Sequence, residues 1–218
     1  VLILHLILIL LLATTIFVAA YRFWKGDLAT KIFIAILILS FVTQSIDTVY
    51  RHYGLRHQVI YRVSSYFELV LYCLYFNYSI SSLRNRQTGW SLAIAGLIIG
   101  LGLEFISEWQ AIGSPFLTFE GLLVIGLSIY AIYKLFTEMS RGAVLRNIHF
   151  WLTTCACFLW CVTLLSLALY DYFSARQSYF LAYLTRIIWV GDYVSLTGML
   201  AAFSFAPKPA RAAAKEHR

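Results

Sequence analysis

Residues 1–20 read VLILHLILILLLATTIFVAA and residues 31–50 read KIFIAILILSFVTQSIDTVY, two long apolar runs separated by a short, positively charged connection. Each has the length needed to cross a hydrocarbon core about 30 Å thick, which takes about 20 helical residues. Five further runs follow, over 59–80, 91–106, 116–136, 149–170 and 181–206. The runs are continuous, whereas a membrane barrel alternates apolar and polar residues in segments of roughly ten. Lipid also leaves unpaired backbone groups unsatisfied, and a helix satisfies its own. The expected fold is therefore all-α, a polytopic membrane bundle of seven transmembrane helices over residues 1–206, followed by a basic cytoplasmic tail over 207–218.

Composition agrees with lipid as the solvent. Of 218 residues, 61% are hydrophobic and 12% charged, against about 25% charged in an ordinary soluble domain. The three prolines, Pro115, Pro207 and Pro209, fall outside the proposed spans, Pro115 where it can open a helix without losing a hydrogen bond. The fourth run is the shortest and carries Gly96, Gly100 and Gly102. Gly96 and Gly100 form a GxxxG pattern, which serves close helix packing inside one bundle as well as dimerisation.

Orientation follows from Lys and Arg by loop. Arg22, Lys25, Lys31, Arg84, Arg86, Lys134, Arg141, Arg146, Lys208, Arg211, Lys215 and Arg218 put twelve basic residues on one side, against Arg51, Arg56 and Arg176 on the other. The N-terminus is expected outside and the C-terminus in the cytoplasm. The net charge of +7 then marks topology and contact with anionic lipid headgroups, not nucleic acid. The first run has its positive charge after the apolar stretch, unlike a secretory signal, and is expected to be a retained span. The chain begins at Val1, which leaves open whether residues precede it.

Placed at 1.5 Å per residue, the ionisable residues of the spans gather toward the outer side. Asp47 and Glu104 fall near outer helix ends, Glu68 roughly 12 to 14 Å deep, Glu120 about one turn into the fifth run, Asp171 at the end of the sixth, and Arg186 and Asp192 in the outer half and middle of the seventh. Charge at membrane depth costs on the order of 2.5 to 3.5 kcal/mol and by default faces the bundle interior or a water-filled space. Helical spacing makes these residues converge. Tyr61, Ser65, Glu68, Tyr72, Tyr75 and Ser79 share one face of the third run, Ser40, Gln44, Asp47 and Arg51 one face of the second, and Trp189, Asp192 and Ser195 one face of the seventh. The candidate ligand-binding set is Asp47, Arg62, Glu68, Tyr72, Glu120, Arg186, Trp189 and Asp192, with Arg62 and Arg186 as counter-ions. Polar stripes also hold membrane helices together by hydrogen bonds worth about 0.6 to 2 kcal/mol, and both readings stay open.

Other chemistry finds less support in the residues. A retinal Schiff base needs a lysine in mid-membrane, and Lys31 and Lys134 sit at cytoplasmic ends. The histidines, His5, His52, His57, His149 and His217, do not gather at one depth as metal ligands would, so no metal site is expected; the identity of any cofactor stays open. Cys73, Cys155, Cys157 and Cys161 lack the CxxC spacing of zinc or redox sites and read as small buried hydrophobes. A nucleophile and base at one depth are missing, which leans against an enzyme.

The stretches Tyr66-Phe67-Glu68, Phe119-Glu120-Gly121-Leu122 and His149-Phe150-Trp151 resemble those of uncharacterised seven-helix integral membrane proteins of Bacteroidota. The resemblance implies a bacterial inner membrane location and partnership with signalling proteins such as sensor kinases. The function expected is a non-enzymatic membrane module that senses a small molecule or ion, or binds a membrane partner, through an outward-facing polar basin. A structural subunit of a larger membrane complex and an ion or small-solute transporter are the alternatives. A transporter would show a continuous polar path from Glu68 past Asn77 to the inner side.

Overall fold

A computed structural model of the chain describes residues 2–53, 58–106, 115–174 and 178–207. The side chains of Arg51, His52, Glu104 and Asp171, together with Arg56, His57, Glu108, Arg176 and the tail from 208 onward, lie outside the described residues. The described residues are almost entirely helical. Seven long helices are α1 (Leu2–Phe23), α2 (Leu28–His52), α3 (Gln58–Ser79), α5 (Thr88–Ile106), α6 (Pro115–Glu138), α8 (Ile148–Ser174) and α9 (Ser178–Phe205). Two short helices in the connections, α4 (Ser81–Arg86) and α7 (Arg141–Arg146), were not expected from the sequence.

The breaks between helices have local causes. After α1 the chain turns at Gly26, whose N–H donates to the Phe23 carbonyl at 2.7 Å; a side chain there would meet that carbonyl oxygen at 2.8 Å. Asp27 immediately precedes α2 and accepts a hydrogen bond from the Thr30 hydroxyl, at the position where a short polar residue favours a helix start. Gln87, with φ 51°, lets α4 turn into α5. Pro115 opens α6, and Pro207 follows the end of α9.

Five helices are long and apolar enough to cross a membrane: α1, α2, α6, α8 and the 186–205 portion of α9. This is a multi-pass membrane architecture. Two of the seven expected spans fall short on length and composition alone, for different reasons. The apolar stretch of α5, Thr88–Leu103, is shorter than a full crossing, and α3 carries a polar face. Large apolar side chains point outward all around the bundle, among them Ile3, Phe17, Leu122, Leu165 and Phe205 at 60% exposure or more. Such a surface suits lipid and not water.

The packing explains where α3 hides its polar face. Neighbouring helices run α1, α2, α3, α6, α8, α9 and back to α1, a closed ring of six, with α5 set outside it against α3 and α6. A β-carbon on Gly96 would meet Leu69 of α3 at 3.0 Å, and one on Gly100 would run into the Phe116 ring of α6. The GxxxG pattern therefore seats α5 within the bundle, the close approach that small residues permit when lipid supplies no hydrophobic drive between helices. One end of the ring is solid: Phe33, Tyr75, Phe76 and Phe203 are fully buried there, with the Tyr75 ring edge-on to Phe33 at 5.0 Å and Phe23 edge-on to Phe203 at 5.7 Å. Toward the end that carries the N-terminus, the ring encloses a cavity.

Candidate functional site

The cavity has a volume of about 210 Å³ and takes its wall from all six ring helices and none from α5. From α3 come Tyr61, Ser64, Ser65, Glu68 and Tyr72; from α2, Phe33, Ser40, Thr43 and Gln44; from α9, Asp192, Ser195 and Met199. Leu8 and Leu12 of α1, Leu117 of α6, and Trp160 and Thr163 of α8 complete it. The four-and-three spacing on α3 thus builds one continuous wall from Tyr61 to Tyr72. Beyond Tyr72 the same face turns structural, since the Tyr75 hydroxyl pairs with Thr153 of α8 at 3.1 Å.

Two hydrogen bonds join α2 to α3 along the cavity. The Ser40 hydroxyl donates to Glu68 Oε1 at 3.4 Å, and the Tyr61 hydroxyl to Gln44 Oε1 at 3.5 Å. Both are long, and they leave most of the Glu68 carboxyl's capacity open toward the cavity. Asp192, on α9, is the third helix from α3 in either direction around the ring, so the two carboxyls stand on opposite walls. Asp192 makes no hydrogen bond or ion pair among the described residues. One turn further on, the Ser195 hydroxyl is also without a partner among them, at 1% exposure.

Glu120 stands just behind this wall. It is fully buried on α6, close to Glu68 and Tyr72. Ser65 is its nearest hydroxyl influence, yet neither carboxyl oxygen has a hydrogen-bond partner of normal geometry among the described residues. A buried polar group left unpaired costs about 1 to 3 kcal/mol, so this acid is retained against the interest of stability. The need for glycine next to it, at Gly121, is steric, because a β-carbon there would lie 2.8 Å from the Trp160 indole. Without one, Trp160 lies against α6 and meets Tyr72 edge-on at 6.4 Å.

Of the expected ligand-binding set, the structure gathers Glu68, Tyr72 and Asp192 at the cavity, with Glu120 directly behind. Asp47 is fully buried on α2 but does not line the cavity. Trp189 is set aside from it, its ring 5.7 Å from the imidazole of the buried His5. Arg186 is not a counter-ion to these acids: it is exposed and lies 5.5 Å over the Tyr183 ring. Arg62, next to Tyr61 on α3, does not line the cavity. Among the described residues, no Lys, Arg or His lines the cavity. Sequence reasoning missed Trp160 and Thr163, although Thr153, Ala156, Trp160 and Thr163 recur at the three-and-four spacing that marked the other walls.

Asn77 does not line the cavity. Asn77 is 2% exposed, and its side-chain oxygen accepts the Gly89 N–H at 3.0 Å, tying α3 to the start of α5. Leu69, Tyr75 and Phe76 of the same helix are fully buried. Among the described residues, no group of three or more His, Cys, Asp or Glu comes together in a way that could hold a metal. No protein-family model, curated protein or solved structure matches the chain.

Proposed function

We propose that the chain is a seven-span membrane module, N-terminus outside and C-terminus cytoplasmic, that binds a small molecule in the cavity and signals through a change in helix packing. The observation that carries this reading is the cavity itself, walled by all six ring helices, closed at one end by packed aromatic side chains, and bearing carboxyls on opposite walls. A ligand touching every helix of the ring has contacts to gain from one arrangement of those helices over another, which is what a ligand-driven shift requires. In this reading α3 and α5 also cross the membrane. The polar face of α3 is turned from lipid toward the cavity, and α5 is backed by α3 and α6. The basic loops and tail would face the cytoplasm, contacting anionic lipid or a signalling partner, and the resemblance to Bacteroidota membrane proteins favours a bacterial inner membrane.

A thermal-shift and tryptophan-fluorescence screen of the full chain in lipid nanodiscs, against small amines, carboxylates, neutral alcohols and divalent cations, tests the binding claim. At 100 times its Kd, a ligand of the native state adds about 2.7 kcal/mol of stability. The effect should disappear in a cavity-filling Ser195→Phe variant that still elutes as a single folded species. Stabilisation undiminished by that variant would show that binding occurs elsewhere. Labelling of single cysteines placed at Trp24 and Tyr53, in sealed vesicles of known orientation, tests the topology; Tyr53 should react from outside and Trp24 from inside.

A further inference from the structure

We infer that the cavity takes a small organic cation, an amine or quaternary ammonium compound of modest size. This rests on the cavity being a binding site, and four observations narrow the occupant.

The first is charge. Glu68 and Asp192 present carboxyls from opposite walls, Glu120 adds a third just behind, and no cationic side chain among the described residues lines the space. An anionic ligand would find no cationic partner among the lining side chains. A neutral one would leave the acids uncompensated at a depth where isolated charge is costly. The second is aromatic surface. Trp160, Tyr72, Tyr61 and Phe33 contribute one aromatic ring each to the wall, and the faces of such rings attract cations most strongly once water is excluded. Acid and aromatic groups together favour an alkylammonium over a strongly hydrated ion.

The third is unused hydrogen-bonding capacity. The Ser195 hydroxyl is 1% exposed, lines the cavity and has no partner among the described residues. It lies one turn from Asp192, so a ligand N–H or hydroxyl placed between them reaches both. The fourth is size. A cavity of about 150 Å³ accommodates benzene, and this one, at about 210 Å³, has room for somewhat more. That is generous for a bare metal ion and too small for a lipid headgroup with its glycerol.

The test uses the full chain in nanodiscs and an isosteric pair, choline and 3,3-dimethyl-1-butanol, which share a shape and differ in charge; benzoate and calcium serve as further probes. Choline should change tryptophan fluorescence saturably, with the neutral isostere at least about tenfold weaker, the loss expected when a desolvated cation–π contact is removed. Glu68→Gln combined with Asp192→Asn should erase that preference while leaving the isostere's affinity in place. Asp192→Asn alone, a milder change, should narrow it if the double variant does not fold. Equal or tighter binding of the isostere, or binding of benzoate or calcium in preference to choline, would overturn the cation assignment and leave the receptor reading standing. No response to any of the four probes would count against both.

Discussion

Glu120 should be a residue whose removal makes the protein more stable. It is fully buried, and both carboxyl oxygens lack a hydrogen-bond partner among the described residues. Replacing it with methionine keeps the length and approximate volume of the side chain while deleting the two oxygens, a change close to volume-conserving in a packed interior. A neutral unpaired carboxyl costs about 1 to 3 kcal/mol, and an ionised one at membrane depth on the order of 2.5 to 3.5 kcal/mol. Against this, Glu120→Met forfeits only the weak influence of the Ser65 hydroxyl. The net expectation is a gain of about 1 to 3 kcal/mol. On the scaling of soluble domains of this length, about 2–4 °C per kcal/mol, the unfolding midpoint should rise by on the order of 5 °C. Thermal unfolding in a mild detergent, followed by size-exclusion or thiol-reactive dye, reads this directly. Leu152, equally buried but wholly apolar, supplies the contrast, since Leu152→Ala should lose about 2 to 5 kcal/mol. A Glu120→Met midpoint several degrees below that of the parent would refute the reasoning, because it would show that the carboxyl makes interactions worth more than its desolvation.

At Gly89 a β-carbon would collide with Asn77 Cβ and lie 2.6 Å from the Cys73 carbonyl oxygen, so Gly89→Ala should cost about 1 to 3 kcal/mol by overpacking, further weaken the bond to Asn77, and recover up to about 1 kcal/mol of helix propensity. Gly102→Ala, where nothing lies within 4 Å, should not lower the midpoint, and equal losses at both sites would discount the close approach as the cause. Gly121→Val should push Trp160 off α6, changing its emission and weakening any ligand seated in the cavity; an unaltered spectrum would show the indole is not held there. At the opposite end, burial opposes ionisation of Asp27, but the hydrogen bond and charge of His149, 3.0 Å away, together with Thr30, hold its carboxyl down at about 2 from 3.8. That contact therefore supports the fold above about pH 4 and fades as pH falls toward about 2. The Asp27 side chain is half exposed, so Asp27→Asn should cost only about 0.2 to 1 kcal/mol at neutral pH and reduce the acid slope of the unfolding midpoint between about pH 4 and about pH 2; superimposable pH profiles would exclude the contact as a contributor.

What could be read from the sequence divides along physical lines. Apolar run length is a local property, and all seven long helices appear where the runs lie, with ends moved by a few residues: α5 begins at Thr88 and not at 91 because Gln87, in a left-handed conformation, turns the chain there. Periodicity placed Tyr61, Ser65, Glu68 and Tyr72 on one face, and that face became a cavity wall. The counter-ion role given to Arg186 does not match its placement, because depth along a helix says nothing of azimuth around it. Arg186 precedes Asp192 by more than one and a half turns and points away over Tyr183. Trp189 shares the Asp192 face by spacing, yet is drawn to His5 of α1, a partner that no single-helix pattern contains. The exclusion of α5 from the ring was likewise invisible, since it depends on Gly96 and Gly100 meeting Leu69 and Phe116 from other helices.

The distribution of cross-helix ties assigns the two ends of the ring different roles. At the closed end, Asp27 meets His149, Tyr75 meets Thr153, and Arg22 donates to the Ala206 carbonyl at 2.9 Å, joining α2 to α8, α3 to α8 and α1 to the end of α9. At the cavity end, Ser40 and Glu68, with Tyr61 and Gln44, join α2 to α3, while the Tyr193 hydroxyl donates to the Leu4 carbonyl and joins α9 to α1. Glu68 belongs to the first pair and Asp192 to the second. A cation held by both carboxyls would tie the two pairs to each other, with the closed end as the base about which they approach. Hydrogen bonds to charged groups contribute about 1.5 to 3 kcal/mol each, so two such anchors give about 3 to 6 kcal/mol, comparable with the roughly 5.5 kcal/mol needed to reverse a two-state equilibrium of about 1:99. One anchor falls short of that figure. Switching on this scale thus requires both walls to take part, and it is the placement of one acid on each that makes the arrangement suited to switching as well as to binding.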